Sequence, residues 1–304
     1  MKIIYAGSPE YAVAPLRALL DEGHEIAAVL TQPDKPTGRK RVLTPTPVKS
    51  VALSYGIPVC DFVRVRDHAD ELKAFGAEVM ITCAYGQLLT ENILRAFPLG
   101  VYNLHASLLP LFRGASPIQS AILAGEKYSG VTVMKTELAL DCGAILLVKR
   151  CSIDGRTCGE LSEELSRLSA TAAVEAVEIL KNGEPQLLLQ DEAKATYCKK
   201  ISKADAAVDF SQPAVNVANL INAMSPSPAA FAMLNGAAVN LLKACVCDGC
   251  GESGMVLSAD KKGVVVACGG GAVLISSLQF AGGKALSAAD AVNGRKIKAG
   301  DKFD

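Results

Sequence analysis

Residues 79–110 read VMITCAYGQLLTENILRAFPLGVYNLHASLLP. Val79 to Ala84 is a continuous apolar run, the pattern of a strand buried on both faces of a parallel sheet. Asn92 to Phe97 has the composition of a short helix, and Gly100 to Leu104 is a second apolar run. The same rhythm extends back to the N-terminus. Lys2 to Ala6 is a strand ending in the turn Gly7-Ser8-Pro9, and Tyr11 to Glu22 carries Val13, Leu16, Leu19 and Leu20 at helical spacing. Glu25 to Thr31 and Ile57 to Cys60 read as strands, Val48 to Tyr55 and Glu71 to Phe75 as helices. Alternation of this kind predicts an α/β fold, a Rossmann-like domain on a parallel sheet.

From Gly130 the pattern changes. Val131 to Lys135 and Ala144 to Ile153 are strands flanking a loop around Asp141. Thr157 and Glu160 have capping-box spacing, and an amphipathic helix follows to about Leu180, closed by Asn182-Gly183. Residues 1–183 therefore form the first predicted domain. Residues 184–203, polar and carrying Lys194, Lys199, Lys200 and Lys203, read as a linker. Residues 204–304 hold a helix near Val215 to Met224 and then short β-like runs between glycine-rich turns, which predicts a small OB-like β-barrel.

Composition narrows the function classes. Half of the 304 residues are hydrophobic and 20% are charged, enough for a large core. The formal net charge is zero, which argues against electrostatic capture of nucleic acid by the whole chain and leaves room for a local basic patch. There is no tryptophan, so base stacking on an aromatic platform is disfavoured. The opening MKIIYAGSPEYAVAPL breaks too early for a signal peptide, and no apolar run reaches the ~18 residues of a membrane span. Ten cysteines without the density of a disulfide scaffold point to a reducing compartment, the cytoplasm.

The chemistry concentrates just past the second apolar run. Asn103 and His105 are two residues apart, so strand alternation puts them on one side, at the carboxyl end where open α/β sheets place ligands. Asp141 follows in the loop of LALDCGAI. An amide, an imidazole and a carboxylate suit acyl transfer to an amine. The amide and a protonated imidazole can donate to the oxyanion of a tetrahedral intermediate, and the carboxylate can hold the imidazole and help relay the amine's proton. Asn and His at a strand end also serve simply to satisfy backbone groups, and spacing alone does not choose between these roles. His24 and His68 read as solvent-facing. Cys245, Cys247, Cys250 and Cys268 could be zinc ligands, but their spacing departs from the common paired frames, so they read as core and turn residues and no metal is expected. Gly7-Ser8-Pro9 is not G-x-G-x-x-G, which disfavours a dinucleotide-binding dehydrogenase.

NLHASLLPLFRGASPIQ followed by LALDCGAI resembles the active-site region of the folate-dependent formyltransferases. AGSPEYAVAPLRALL, TQPDKPTGRKRVLTPTPVK, CAYGQLL, VTVMK and SLQFAGGKALSAADAVNG extend the resemblance over nearly the whole chain, toward the branch that formylates initiator methionyl-tRNA. The resemblance implies 10-formyltetrahydrofolate as cosubstrate, initiator methionyl-tRNA as partner and a monomer with no membrane association. It implies Asn103, His105 and Asp141 as the catalytic set and Ser107, Leu108, Leu109 and Pro110 as the folate-lining segment, with Tyr85, Gly86 and Gln87 walling the same pocket. Arg39 matches the arginine that reads the tRNA acceptor end, with Lys40 and Arg41 adding phosphate contacts. There are two departures. Ser225-Pro226-Ser227-Pro228 replaces the family's Asn-Pro-Trp-Pro-like segment. The region from Ala204 onward is charge-balanced, so attraction for tRNA there falls to local placement such as Arg295, Lys296 and Lys298.

Overall fold

The computed structural model describes residues 1–38 and 41–304. Its first sheet has seven strands: β1 (Lys2–Gly7), β2 (Glu25–Leu30), β3 (Val59–Cys60), β4 (Val79–Cys83), β5 (Val101–His105), β6 (Tyr128–Lys135) and β7 (Ile145–Ser152), in the order β7-β6-β5-β4-β1-β2-β3. Strands β3 to β5 pair in parallel through β2, β1 and β4, with Tyr5 opposite Ile81 and Ile81 opposite Tyr102. Residues Val79 to Cys83 are all buried, as a run without alternation requires. The next pair departs from the expected parallel sheet, because β5 and β6 run antiparallel with Asn103 opposite Met134. A parallel return needs a crossover, usually a helix laid on the sheet. The one helix between these strands, Pro117–Leu123, belongs to the other compact unit.

The first helix, Val13–Asp21, buries Val13, Leu16 and Leu19 on one face. Pro47–Ser54 is the second; Thr46 caps it through its side chain to the Lys49 N–H at 3.1 Å, and Pro47 sits where a missing N–H costs nothing. The long helix spans Cys158–Lys181. Its capping box is complete: the Thr157 N–H donates to Glu160 Oε2 at 2.8 Å, and the Glu160 N–H donates to Thr157 Oγ1 at 3.3 Å.

The chain forms two compact units, interleaved in sequence. One comprises Met1–Gly114, Ser129–Cys151 and Ser162–Tyr197, the other Ala115–Tyr128, Ser152–Leu161 and Cys198–Asp304. The expected boundary at 183/204 is therefore not a single crossing. Most of the expected linker packs with the first unit through long-range hydrogen bonds that no local pattern announces.

In the second unit, β8 (Ala230–Leu234), β9 (Ala237–Cys247), β10 (Val256–Asp260), β11 (Gly263–Ala267) and β12 (Ala272–Phe280) form an antiparallel sheet ordered β8-β9-β12-β11-β10. The helix Ala214–Met224 packs against it, burying Val217, Ala218 and Ile221. The sheet ends on two edge strands rather than in one continuous ring of ladders. Single bridges from the C-terminal tail reach both ends of it, Leu234 with Phe303 and Met255 with Lys302. Phe303, 2% exposed, packs its ring 5.4 Å from that of Phe210.

Candidate active site

Strand β5 delivers Asn103 and His105 at its carboxyl end, between β4 and β6. The Thr82 hydroxyl of β4 donates to Asn103 Oδ1 at 2.9 Å, which occupies the oxygen of the amide and orients its NH2 as the donor. His105 is 5% exposed. Its Nε2 lies 3.0 Å from the Phe112 carbonyl; a carbonyl only accepts, so this nitrogen carries a proton. Its Nδ1 faces Asp141 Oδ2 at 3.7 Å, a charge contact longer than a hydrogen bond. Burial pushes the imidazole pKa below its ordinary value, while the Asp141 charge and the Phe112 carbonyl pull it back up. The resting imidazole is thus neutral near pH 7. The expected protonated donor forms only when Nδ1 gains a proton.

Asp141 sits in the loop between β6 and β7, closed by the Lys135 N–H to the Ala144 carbonyl at 2.9 Å. Its φ is +49°, a left-handed conformation costing about 1 kcal/mol for a residue with a Cβ. Several contacts fix it there. The Gly114 N–H donates to its Oδ2 at 2.8 Å, and Gln190 Nε2 donates to its backbone carbonyl at 2.9 Å and to that of Gly143 at 2.7 Å. Gly143 must be glycine, since a Cβ there would fall on the Lys135 carbonyl. Cys142 is no nucleophile in waiting: burial and Glu137 push its thiol pKa up, away from the reactive thiolate.

The segment after β5 is tightly folded. Ser107, 1% exposed, donates from Oγ to the Leu111 carbonyl at 2.6 Å, and Thr132 Oγ1 links the Ser107 carbonyl at 2.7 Å to the Leu109 N–H at 3.1 Å. Leu109 is buried with Met134 and Ile145, while Leu108 and Pro110 are half-buried. On the neighbouring loop, the Tyr85 carbonyl accepts from Gln32 Nε2 at 3.1 Å and from Ser8 Oγ at 3.4 Å. Gly86 takes φ +82°. Gln87 accepts the Val65 N–H and donates to the Phe62 carbonyl, both at 2.8 Å, which fixes its side chain and leaves one amide hydrogen and one lone pair over. The Tyr85 hydroxyl is buried without a hydrogen-bond partner.

Arg39 and Lys40 lie outside the described residues; Arg41 is exposed with φ +49°. A short hairpin pairs Lys35–Thr37 with Val42–Thr44 on either side of that stretch. His24 is not solvent-facing. It is 7% exposed, with Nε2 3.8 Å from Glu178, and burial lowers its pKa. His68 is half-buried, its ring stacked 3.8 Å from that of Phe62 and its Nδ1 2.7 Å from Glu71 Oε1. Among the described residues, no group of three or more His, Cys, Asp or Glu side chains is arranged to hold a metal.

The sequence reading assigns no role to Arg113 or Gln190. Arg113 is 1% exposed; its Nε and Nη2 donate to Gln190 Oε1 at 3.1 and 2.8 Å, and its Nη1 and Nη2 to the Glu192 carboxylate at 2.9 and 2.6 Å. The available signal is a lone arginine in the apolar run LLPLFRGASPI, since a guanidinium is rarely buried unless paired.

Comparison with known proteins agrees with this architecture. A formyl transferase family model matches residues 1–177, and a formyl transferase C-terminal domain model matches residues 200–296. Methionyl-tRNA formyltransferase of Pseudomonas putida is 44% identical over 301 residues, covering 98% of this chain and 97% of the relative. That of Chromobacterium violaceum is 44% identical, covering 100% and 99%. The solved structure of HypX from Aquifex aeolicus in complex with tetrahydrofolic acid superposes with a TM-score of 0.67 at 17% identity, over 96% of this chain and 47% of that one. At that identity the match speaks to the fold alone. The chain, matched along both its halves, belongs to the formyl transferase family and, within it, to the methionyl-tRNA formyltransferases.

Proposed function

We propose that this chain moves the formyl group of 10-formyltetrahydrofolate onto the α-amino group of methionyl-initiator tRNA, with Asn103, His105 and Asp141 as its catalytic centre. The observation that carries the reading is the buried His105 imidazole, with Nδ1 facing the Asp141 carboxylate at 3.7 Å. In the transfer the amine nitrogen bonds to the formyl carbon, the bond from that carbon to the folate nitrogen breaks, and one proton passes from the amine to the departing nitrogen. His105 Nδ1 takes up the proton, and Asp141 stabilises the imidazolium until it is handed on. The Asn103 NH2 donates to the oxygen that gains charge. No covalent intermediate on the enzyme is required.

The folate supplies the activated formyl carbon. Leu108 and Pro110, half-buried beyond the strand end, suit the flat apolar faces of a pterin, with Ser107 and Leu109 fixing that segment from beneath. Tyr85, Gly86 and Gln87 wall the pocket, with Gln87 held by its bonds to Val65 and Phe62 and the Tyr85 hydroxyl without a partner in the protein. On this reading residues 1–183 carry folate and catalysis, and residues 204–304 form an OB-like tRNA-binding domain; the bridges from the tail to both ends of its sheet support the OB-like assignment. Arg39, Lys40 and Arg41 contact the tRNA backbone and acceptor end. The enzyme acts as a monomer in the cytoplasm, and its ten free thiols accord with a reducing compartment.

The test is labelled formyl transfer onto initiator against elongator methionyl-tRNA, with water and small amines as rival acceptors. Transfer to the initiator form, abolished in folded His105→Ala, is the expected result. Near wild-type turnover in that variant rejects the centre, and transfer only to small amines or water rejects the substrate.

A further inference from the structure

We infer that Gln190, from the segment following the long helix, is a positioning residue for the reaction: it holds the Asp141 loop in its working geometry and is itself oriented by buried Arg113. The inference rests on the catalytic role proposed above for Asp141. Gln190 has two amide hydrogens and two carbonyl lone pairs, and all four are engaged. Nε2 donates to the carbonyls of Asp141 and Gly143 at 2.9 and 2.7 Å, while Oε1 accepts from Arg113 Nε and Nη2 at 3.1 and 2.8 Å. The amide cannot turn over, because the guanidinium only donates and the carbonyls only accept.

Arg113 adjoins Gly114, whose N–H grips the Asp141 carboxylate at 2.8 Å. Asp141 is therefore held at both ends, its side chain by Gly114 and its backbone by Gln190. The two holders are tied to each other through Arg113. The segment carrying Gln190 is anchored on either side: Leu188 exchanges backbone hydrogen bonds with Ile145 at 2.8 and 2.9 Å, and Arg113 donates its N–H to the Thr196 carbonyl at 2.8 Å. A chain stretch with the composition of a connector is thus built into the catalytic loop. An aspartate held at positive φ needs such a grip to keep its carboxylate on the imidazole.

The discriminating variant is Gln190→Glu. It keeps an acceptor for Arg113 and so spares the buried guanidinium, but it replaces the two donors facing Asp141 and Gly143 with oxygen. The expected result is a fall in kcat of roughly 10- to 100-fold, the scale of a small misplacement of a catalytic group, with KM for both substrates within about twofold. The acid limb of the kcat profile should also move to lower pH. Among the described residues Asp141 is the charge acting on His105, and the Phe112 carbonyl is its other polar contact, so withdrawing Asp141 removes the larger of the two influences that raise the imidazole pKa. Gln190→Asn, which keeps the amide one methylene short, should shift both readouts the same way and stands in if the first variant does not fold. The neighbouring Leu189→Ala, at an 82% exposed position, should match wild type. Wild-type kcat, or an unmoved acid limb, in a folded Gln190 variant overturns the inference. Inert His105→Ala and Asp141→Ala beside a wild-type Gln190→Glu would sink this inference alone, whereas active His105→Ala would sink the catalytic centre.

Discussion

Replacing Asp141 with Asn isolates the charge that faces His105. The substitution is nearly isosteric, and the new side-chain oxygen can still accept the Gly114 N–H. At 3.7 Å two unit charges interact by about 1 kcal/mol in bulk water and about 4.5 kcal/mol at an effective dielectric of about 20. Losing the carboxylate removes this attraction for the imidazolium and should lower the His105 pKa. The sign is fixed, because Asp141 raises this pKa against the lowering by burial. Proton NMR of the imidazole rings reads the change directly, since the chain has only three histidines and His24 and His68 serve as internal references. Turnover should fall by about 10²- to 10⁴-fold, the usual worth of a positioned acid–base group. A His105 resonance titrating at or above its wild-type midpoint in Asp141→Asn would refute the electrostatic account of the site.

Stability should fall as pH drops below about 6.5, where the unfolded histidines gain protons while buried His105 and His24, both with lowered pKa, stay neutral until lower pH. His105→Gln should remove part of that slope and leave the part due to His24, read as denaturant midpoints at pH 7.5 and 5.5. Gly143→Ala should open the Asp141 loop, because its Cβ would collide with the Lys135 carbonyl; the expected outcome is loss of kcat with a lowered melting temperature. Phe303→Ala should cost about 3–5 kcal/mol, the range for an aromatic removed from a packed core, measured by chemical unfolding of the whole chain. Arg39→Ala should weaken tRNA binding and flatten its log–log salt dependence by about 0.7–0.9 for each phosphate no longer neutralised, and an unchanged slope would remove that loop from the interface.

What a single sequence reveals here follows from the range of the interactions involved. The strands at Val79–Cys83 and Val101–His105 and the Thr157–Glu160 capping box are legible because their signals lie within a few residues. The meeting of His105 with Asp141 is a contact across two strands and a loop; residue chemistry and the family resemblance suggest it, while periodicity does not. The grip of Arg113 and Gln190 on the Asp141 loop is hidden because the partners lie 77 residues apart and look, locally, like a stray arginine and a polar connector. The antiparallel course of β6 escapes the α/β pattern because residue alternation does not record strand direction, and the helix between β5 and β6 belongs to the other unit. His24, polar beside a glycine, reads as a turn residue and is buried by packing distant in sequence.

The interleaving of the two units sets an order on the ribosome. Helix Pro117–Leu123, with Ala121 and Ile122 destined for burial, leaves the exit tunnel long before its partner helix Ala214–Met224. Phe303, among the last residues synthesised, completes the hydrophobic cluster of that same unit. Ile122 must therefore wait for this partner while residues 124–213 are made, a natural landing point for holdase chaperones. A gene fragment beginning at residue 204 would yield a product lacking this helix.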